Sequence, residues 1–143
     1  MAFSNYDATT TNKSKRSNRI YSDLNLSFTK NPATKDVAKL KDVEAVKRSV
    51  RNLVLTNRFE RPFHPEIGSG IRGLLFEPMT PLTSLALQRK VEEVLLNFEP
   101  RISLVQVLSN ANVDRNSYDL KIMFYVIGSE EPVEVETFLE RLR

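Results

Sequence analysis

The chain has 143 residues, 41% of them apolar and 27% charged, a size and balance that suit one domain around one modest core. It has no cysteine, no tryptophan and a single histidine, which excludes a disulfide framework, thiolate metal sites and any multi-histidine zinc or iron centre. Its net charge of +3 is concentrated in residues 1–19, where Lys13, Lys15, Arg16 and Arg19 face only Asp7, and the rest of the chain is charge-balanced.

That asymmetry bears on partners. Nucleic-acid affinity comes mainly from neutralising phosphates, so the balanced body is a poor candidate, and nucleic acid is not an expected partner. The segment 1–19 is rich in Ser, Thr and Asn, and it reads as a flexible basic arm preceding a domain at 20–143. A salt-sensitive contact of the arm with DNA is the weaker alternative. No apolar run approaches the roughly 20 residues of a membrane helix, and the first residues lack the apolar core of a signal peptide. Folding in the cytosol, with no membrane partner, is the expectation.

In chain order, "IYSDLNLSF" (20–28) alternates, with Leu24, Leu26 and Phe28 on one face, and predicts a half-buried strand followed by a loop. Asp42 is placed to cap a helix whose Val43, Val46, Val50, Leu53 and Val54 share one face, with Asn57 as its stop. Next comes a long Pro- and Gly-rich segment, and loops of this length are either functional or tightly self-packed. Thr80-Pro81 reads as a cap followed by a first-turn proline. The helix it opens is expected to bury Leu82, Leu85, Ala86, Val91, Val94, Leu95 and Phe98 and to stop at Pro100, since a residue before proline avoids the helical region. Residues 102–108 and 118–126 predict an antiparallel hairpin with its tip near Asp114–Ser117. Residues 133–136 predict a short strand, and Phe138, Leu139 and Leu142 a short C-terminal helix. The fold class is α+β: one small antiparallel sheet packed on two main helices.

Four features raise chemistry. "GSGIRG" (68–73) matches a dinucleotide fingerprint in letters, but it neither follows a strand nor opens a long helix, so its glycines are read as turn residues. His64 lies between Phe63 and Pro65 with no nucleophile context and reads as a loop residue with a packing or hydrogen-bonding role. Glu60, Glu66, Glu77 and Glu99 raise glycoside hydrolysis, which needs two carboxylates about 5 to 10 Å apart across a cleft. No motif pairs them, so no catalytic residue, metal or cofactor is assigned.

The fourth feature is "FEPRI" (98–102). Its plain reading is a solvent-facing helix stop. The alternative is a binding fork: Pro100 stiffens the backbone between Glu99 and Arg101, and arginine offers a planar set of donors for carboxylates or carbonyls.

"YSDLNLSF", "DVEAVKRSVRNLVLTNRFERPFHPEIGSGIRGLLFEP", "VEEVLLNFEPRI" and the terminal hairpin, together about residues 19–143, resemble the small baseplate-wedge or sheath-initiator proteins of contractile-tailed phages, to which a type VI secretion baseplate component is related. The resemblance implies a structural, non-enzymatic role in the virion tail baseplate, after assembly in the host cytoplasm. It implies that Glu99, Pro100 and Arg101 grip a helical core bundle of other wedge subunits, with Arg58, Glu60 and Arg61 as supports. It also implies that tail-sheath protein docks by strand addition, with "YDLKIMFYV" and "VEVE" as candidate edges, and that tail tube or hub components lie within reach. A lysozyme-like label attaches to some of these proteins, and a peptidoglycan hydrolase is therefore the competing reading. On the binding-fork view, alanine at Glu99 or Arg101 leaves the fold intact.

Overall fold

A computed structural model describes residues 21–141, so the basic arm at 1–19 and Leu142 lie outside the described residues. The elements in order are β1 (Ser22–Leu24), β2 (Lys39–Lys41), α1 (Asp42–Leu55), α2 (Ile71–Leu74), α3 (Pro81–Phe98), β3 (Ile102–Asn112), β4 (Ser117–Val126) and β5 (Pro132–Glu140). The first two strands form a small ribbon and the last three an antiparallel sheet in the order β3-β4-β5. The α+β reading holds.

β4 is the spine of the core. Tyr118, Leu120, Ile122, Phe124 and Val126 are all buried, as their alternation predicts. They pack with Val46, Val50 and Val54 of α1 and Leu87, Val91, Val94 and Leu95 of α3. α3 begins as expected, with the Thr80 Oγ1 accepting from the Thr83 amide at 3.2 Å and Pro81 in the first turn.

Four expectations are corrected. First, the predicted C-terminal helix is strand: β5 runs through Glu140 with Val133, Val135, Thr137 and Leu139 inward and Glu134, Glu136, Phe138 and Glu140 outward. A polar Thr137 at an inward position hides this two-residue period. Second, Leu82 is 75% exposed and Leu85 is also exposed, because α3 turns Thr83 and Leu87 to the core instead. The first turns of α3 carry apolar residues on two faces. Thr83 can occupy the inner one because its hydroxyl donates to the Pro78 carbonyl at 2.8 Å.

Third, the strand at 20–28 shrinks to Ser22–Leu24, and Leu24, Leu26 and Phe28 are exposed. The chain turns at Asn25, whose side chain accepts from the Ser27 amide at 3.0 Å, and Phe28 takes a positive φ of 51°. Fourth, Asp42 is the first helical residue rather than the cap, with its amide donating to the Tyr21 carbonyl at 2.7 Å.

Candidate functional site: the junction between α3 and β3

α3 stops where proline forces it to. Glu99 leaves the helix at φ −123°, its amide still bonding the Leu95 carbonyl at 3.0 Å. Two residues later the Arg101 carbonyl accepts from the Ile127 amide at 2.9 Å, so the chain has already entered the sheet ladder. This leaves Glu99 turned inward and 4% exposed, Pro100 exposed, and Arg101 half-buried.

The two charges meet each other. Arg101 Nε donates to Glu99 Oε1 at 2.6 Å and Nη2 donates to Oε2 at 3.0 Å, a two-pronged pair. Ser49 of α1 donates its hydroxyl to Glu99 Oε2 at 2.6 Å. Arg101 Nη1 donates to Asp23 Oδ2 of β1 at 3.1 Å, and its guanidinium carbon lies 5.7 Å from the centre of the Tyr21 ring. Burial works to raise the Glu99 carboxyl, but the hydrogen bonds from Arg101 and Ser49 and the adjacent positive charge outweigh it, holding the group below the usual carboxylate range. The Arg101 pKa is raised, chiefly by its bond to Glu99.

The junction therefore ties together the end of α3, the start of β3, the middle of α1 and the β1 ribbon. Both Glu99 oxygens are engaged inside the chain. Of the five N–H donors of Arg101, one on each terminal nitrogen has no partner among the described residues. Sequence reasoning found Glu99, Pro100 and Arg101 but missed Ser49, Asp23 and Tyr21. Asp23 sits in β1 and Tyr21 just before it, nearly the whole chain away from Arg101, and Ser49 is a lone hydroxyl flanking a valine stripe. Nothing local in the sequence pairs any of them with Glu99.

The upstream motif braces a loop. Arg58 pairs with Glu93 of α3 at 3.6 Å. The Glu60 carboxylate accepts from the Asn57 amide at 2.7 Å, and the Arg61 carbonyl accepts weakly from the His64 amide at 3.4 Å. His64 Nδ1 lies 3.1 Å from Glu66 Oε1, a local hydrogen-bonding role as expected. Arg61 has no ion pair among the described residues. Gly68 and Gly70 take φ of 153° and 63° and serve turns as expected, whereas Gly73 lies within α2 and needs no positive φ. Gly68 also lets the loop return onto α1: a Cβ there would lie 2.5 Å from the Asn57 carbonyl carbon.

The sheet order corrects one candidate edge. β4, which contains "YDLKIMFYV", is central and paired on both sides, whereas "VEVE" lies in an outer strand. No described helix is long and apolar enough to cross a membrane.

The junction braces a small α+β domain, and comparison with known proteins identifies the family to which that domain belongs. Residues 41–130 match the family model described as Baseplate wedge protein gp25, and the chain belongs to that family. A curated relative, Baseplate wedge protein gp25 of Enterobacteria phage T4, is 33% identical over 117 residues, 82% of this chain and 88% of that one. A chain of the postcontracted pyocin R2 baseplate is 25% identical, with a TM-score of 0.59, covering 74% of this chain and 98% of that chain. A Geobacter sulfurreducens protein described as a candidate tail lysozyme shares the fold, at 24% identity and a TM-score of 0.60, over 70% of this chain and 93% of that one. This chain is thus a baseplate wedge protein of a contractile phage tail.

Proposed function

We propose that this wedge protein binds the helical core bundle of the other wedge subunits through the outer side of Glu99-Pro100-Arg101, and that it starts tail-sheath assembly by offering a strand edge to the first sheath ring. The junction's geometry carries the first part. Arg101 is held in one orientation by Glu99 and Asp23, so its unused donors lose little entropy on meeting a carboxylate or a helix-end carbonyl. Glu99 acts here as the brace that aims Arg101 rather than as a second prong. Arg58 and Glu60 support the neighbouring loop, through α3 and through the Asn57 amide.

The second part rests on β5, an outer strand whose backbone is a template for another chain. Assembly takes place in the host cytoplasm, and tube or hub components are neighbours of the same assembly. The role is structural rather than hydrolytic: the Glu60 and Glu66 carboxylates are engaged in loop turns and the Glu99 carboxylate is sealed by Ser49 and Arg101, which leaves exposed Glu77 as a single carboxylate where hydrolysis needs a pair.

Wedges assembled from purified subunits with and without this chain, then mixed with sheath protein, test the proposal. Sheath rings form only on the complete wedges. Sheath polymerising equally well on wedges that lack the chain defeats it.

A further inference from the structure

The outer edge of β5 has a defined backbone polarity. The Arg141 amide donates to the Asn116 carbonyl at 3.0 Å, which makes 141 and 116 a bonded pair. Bonded and non-bonded pairs alternate along an antiparallel ladder, so Leu139, Thr137, Val135 and Val133 bond β4. Glu134, Glu136, Phe138 and Glu140 then turn their N–H and C=O groups outward. An independent contact agrees: Arg51 of α1 reaches across and donates from Nη2 to the Glu136 carbonyl at 2.8 Å.

Arg51 divides the channel between α1 and β5. On one side lies a polar recess bounded by Glu44, Lys47, Arg48, Glu134 and Glu136. On the other side lies a recess with an apolar wall of Val54, Leu55, Ile71, Leu75, Phe138 and Leu139 and a polar rim that includes Asn57, Glu60, Arg72 and Glu140. Val54, Ile71, Leu75 and Leu139 are core residues, whereas Leu55 is 50% exposed and Phe138 46% exposed. This recess adjoins the outward backbone groups of Phe138 and Glu140, the part of the edge that Arg51 does not reach.

We propose that the Phe138–Glu140 half of the β5 edge docks an extended segment of a different protein, one that alternates basic and apolar side chains, with Arg51 as the stop that sets its register. This rests on the strand-addition reading above and specifies its partner. A strand added beside β5 presents alternate side chains to the sheet's two faces. On the exposed face it meets Phe138 and Glu140, with Glu136 at its end beside Arg51. Lys121 of β4 pairs with Glu134 and Glu136, and Glu140 has no ion pair among the described residues, so a basic residue beside Glu140 completes the row. On the other face the strand meets Leu139 and the apolar wall of the recess, which take an apolar side chain.

The same row selects against a second copy of this chain. Two β5 edges paired together would set glutamates against glutamates, and like charges opposite each other destabilise a strand pair. The bond from Arg51 to Glu136 occupies the carbonyl that pairing would need next, so the incoming strand ends there. Arg51 thereby shortens the open edge and protects it from indiscriminate pairing.

The test uses the full chain, labelled for NMR, with two blocked nine-residue peptides, one alternating Lys and Val and the other alternating Glu and Val. The Lys–Val peptide is expected to shift the amides of Phe138 and Glu140 and the methyl groups of Leu55 and Leu75, with at least tenfold tighter binding than the Glu–Val peptide. Arg51→Ala extends the shifted set to Glu134 and Glu136, and Leu55→Asp, at an exposed position, removes the shifts without unfolding the protein. Equal response to both peptides, shifts confined to β3, or self-association of the wild type through β5 overturns the proposal. Sedimentation of sheath protein with the same variants separates the two levels. Binding that Leu55→Asp leaves unchanged refutes this dock while sparing strand addition elsewhere, and no binding to wild type refutes strand addition itself.

Discussion

Replacing Glu99 by alanine removes the acceptor for three hydrogen bonds at once: two from Arg101 and one from Ser49. Breaking a buried ion pair from one side costs about 3–5 kcal/mol, because the partner charge stays behind unpaired. Here the Arg101 side chain is 23% exposed and keeps Asp23, so the lower end applies, about 3 kcal/mol. With a urea m-value of about 2 kcal/mol/M, the unfolding midpoint falls by about 1.5 M. Urea titration followed by circular dichroism at pH 7 reads this directly. The double variant Glu99→Ala/Arg101→Ala should lose less than the two single variants added together, since the pair is removed as a unit. A single-variant shift below about 0.5 M, equivalent to about 1 kcal/mol, would mean that water replaces Glu99 without strain and would refute the bracing role. This prediction reverses the sequence-based expectation that alanine at Glu99 leaves the fold intact. That expectation assumed two solvent-facing charges, and Glu99 is instead an interior residue.

The remaining predictions concern pH, the loop and the helix cap. The folded-state pKa of Glu99 lies below its unfolded value, so its contribution to stability is present above the unfolded pKa of about 4.3 and is lost as pH falls through the lower folded value. The unfolding free energy of wild type should therefore drop below about pH 4 more steeply than that of Glu99→Gln, as measured by urea titrations at stepped pH. Gly68→Ala drives a methyl group into the Asn57 backbone and strains a positive φ, so thermal unfolding should show a loss of at least about 2 kcal/mol. Thr80→Ala deletes the α3 cap and should cost about 1 kcal/mol in the same assay.

Much of the fold was legible because single elements carried their own signals. The strict alternation of Tyr118 to Val126 gave β4 its buried face, and Thr80-Pro81 and Pro100 gave α3 its two ends. What failed depended on neighbours. Leu24, Leu26 and Phe28 alternate as a buried strand does, yet β1 pairs only with β2 in a two-stranded ribbon that leaves them exposed. Leu82 and Leu85 share an apolar helix face that no described element covers. At 137–140, a period of two competes with the helical look of "TFLERL", and only the pairing of Thr137, Phe138, Leu139 and Glu140 with β4 decides for strand.

The site divides in the same way. "FEPRI" advertised a stiff, charged junction, but its inward turn needs Ser49 from fifty residues earlier and Asp23 from the first strand. Likewise, strand identity was readable at 118–126 but strand order was not. β4 carries the stronger hydrophobic signal because it is central, and for that reason it cannot be the docking edge.

The central claim, that the unused donors of Arg101 hold the wedge, is tested most directly with Arg101→Lys in co-purification with the other wedge subunits. Lysine keeps the charge beside Glu99 but lacks the planar fork that leaves one N–H unused on each terminal nitrogen. The account predicts that a variant shown by circular dichroism to be folded loses at least tenfold in association with the wedge. Wild-type association by that folded variant would contradict it and would leave Arg101 as a purely internal brace.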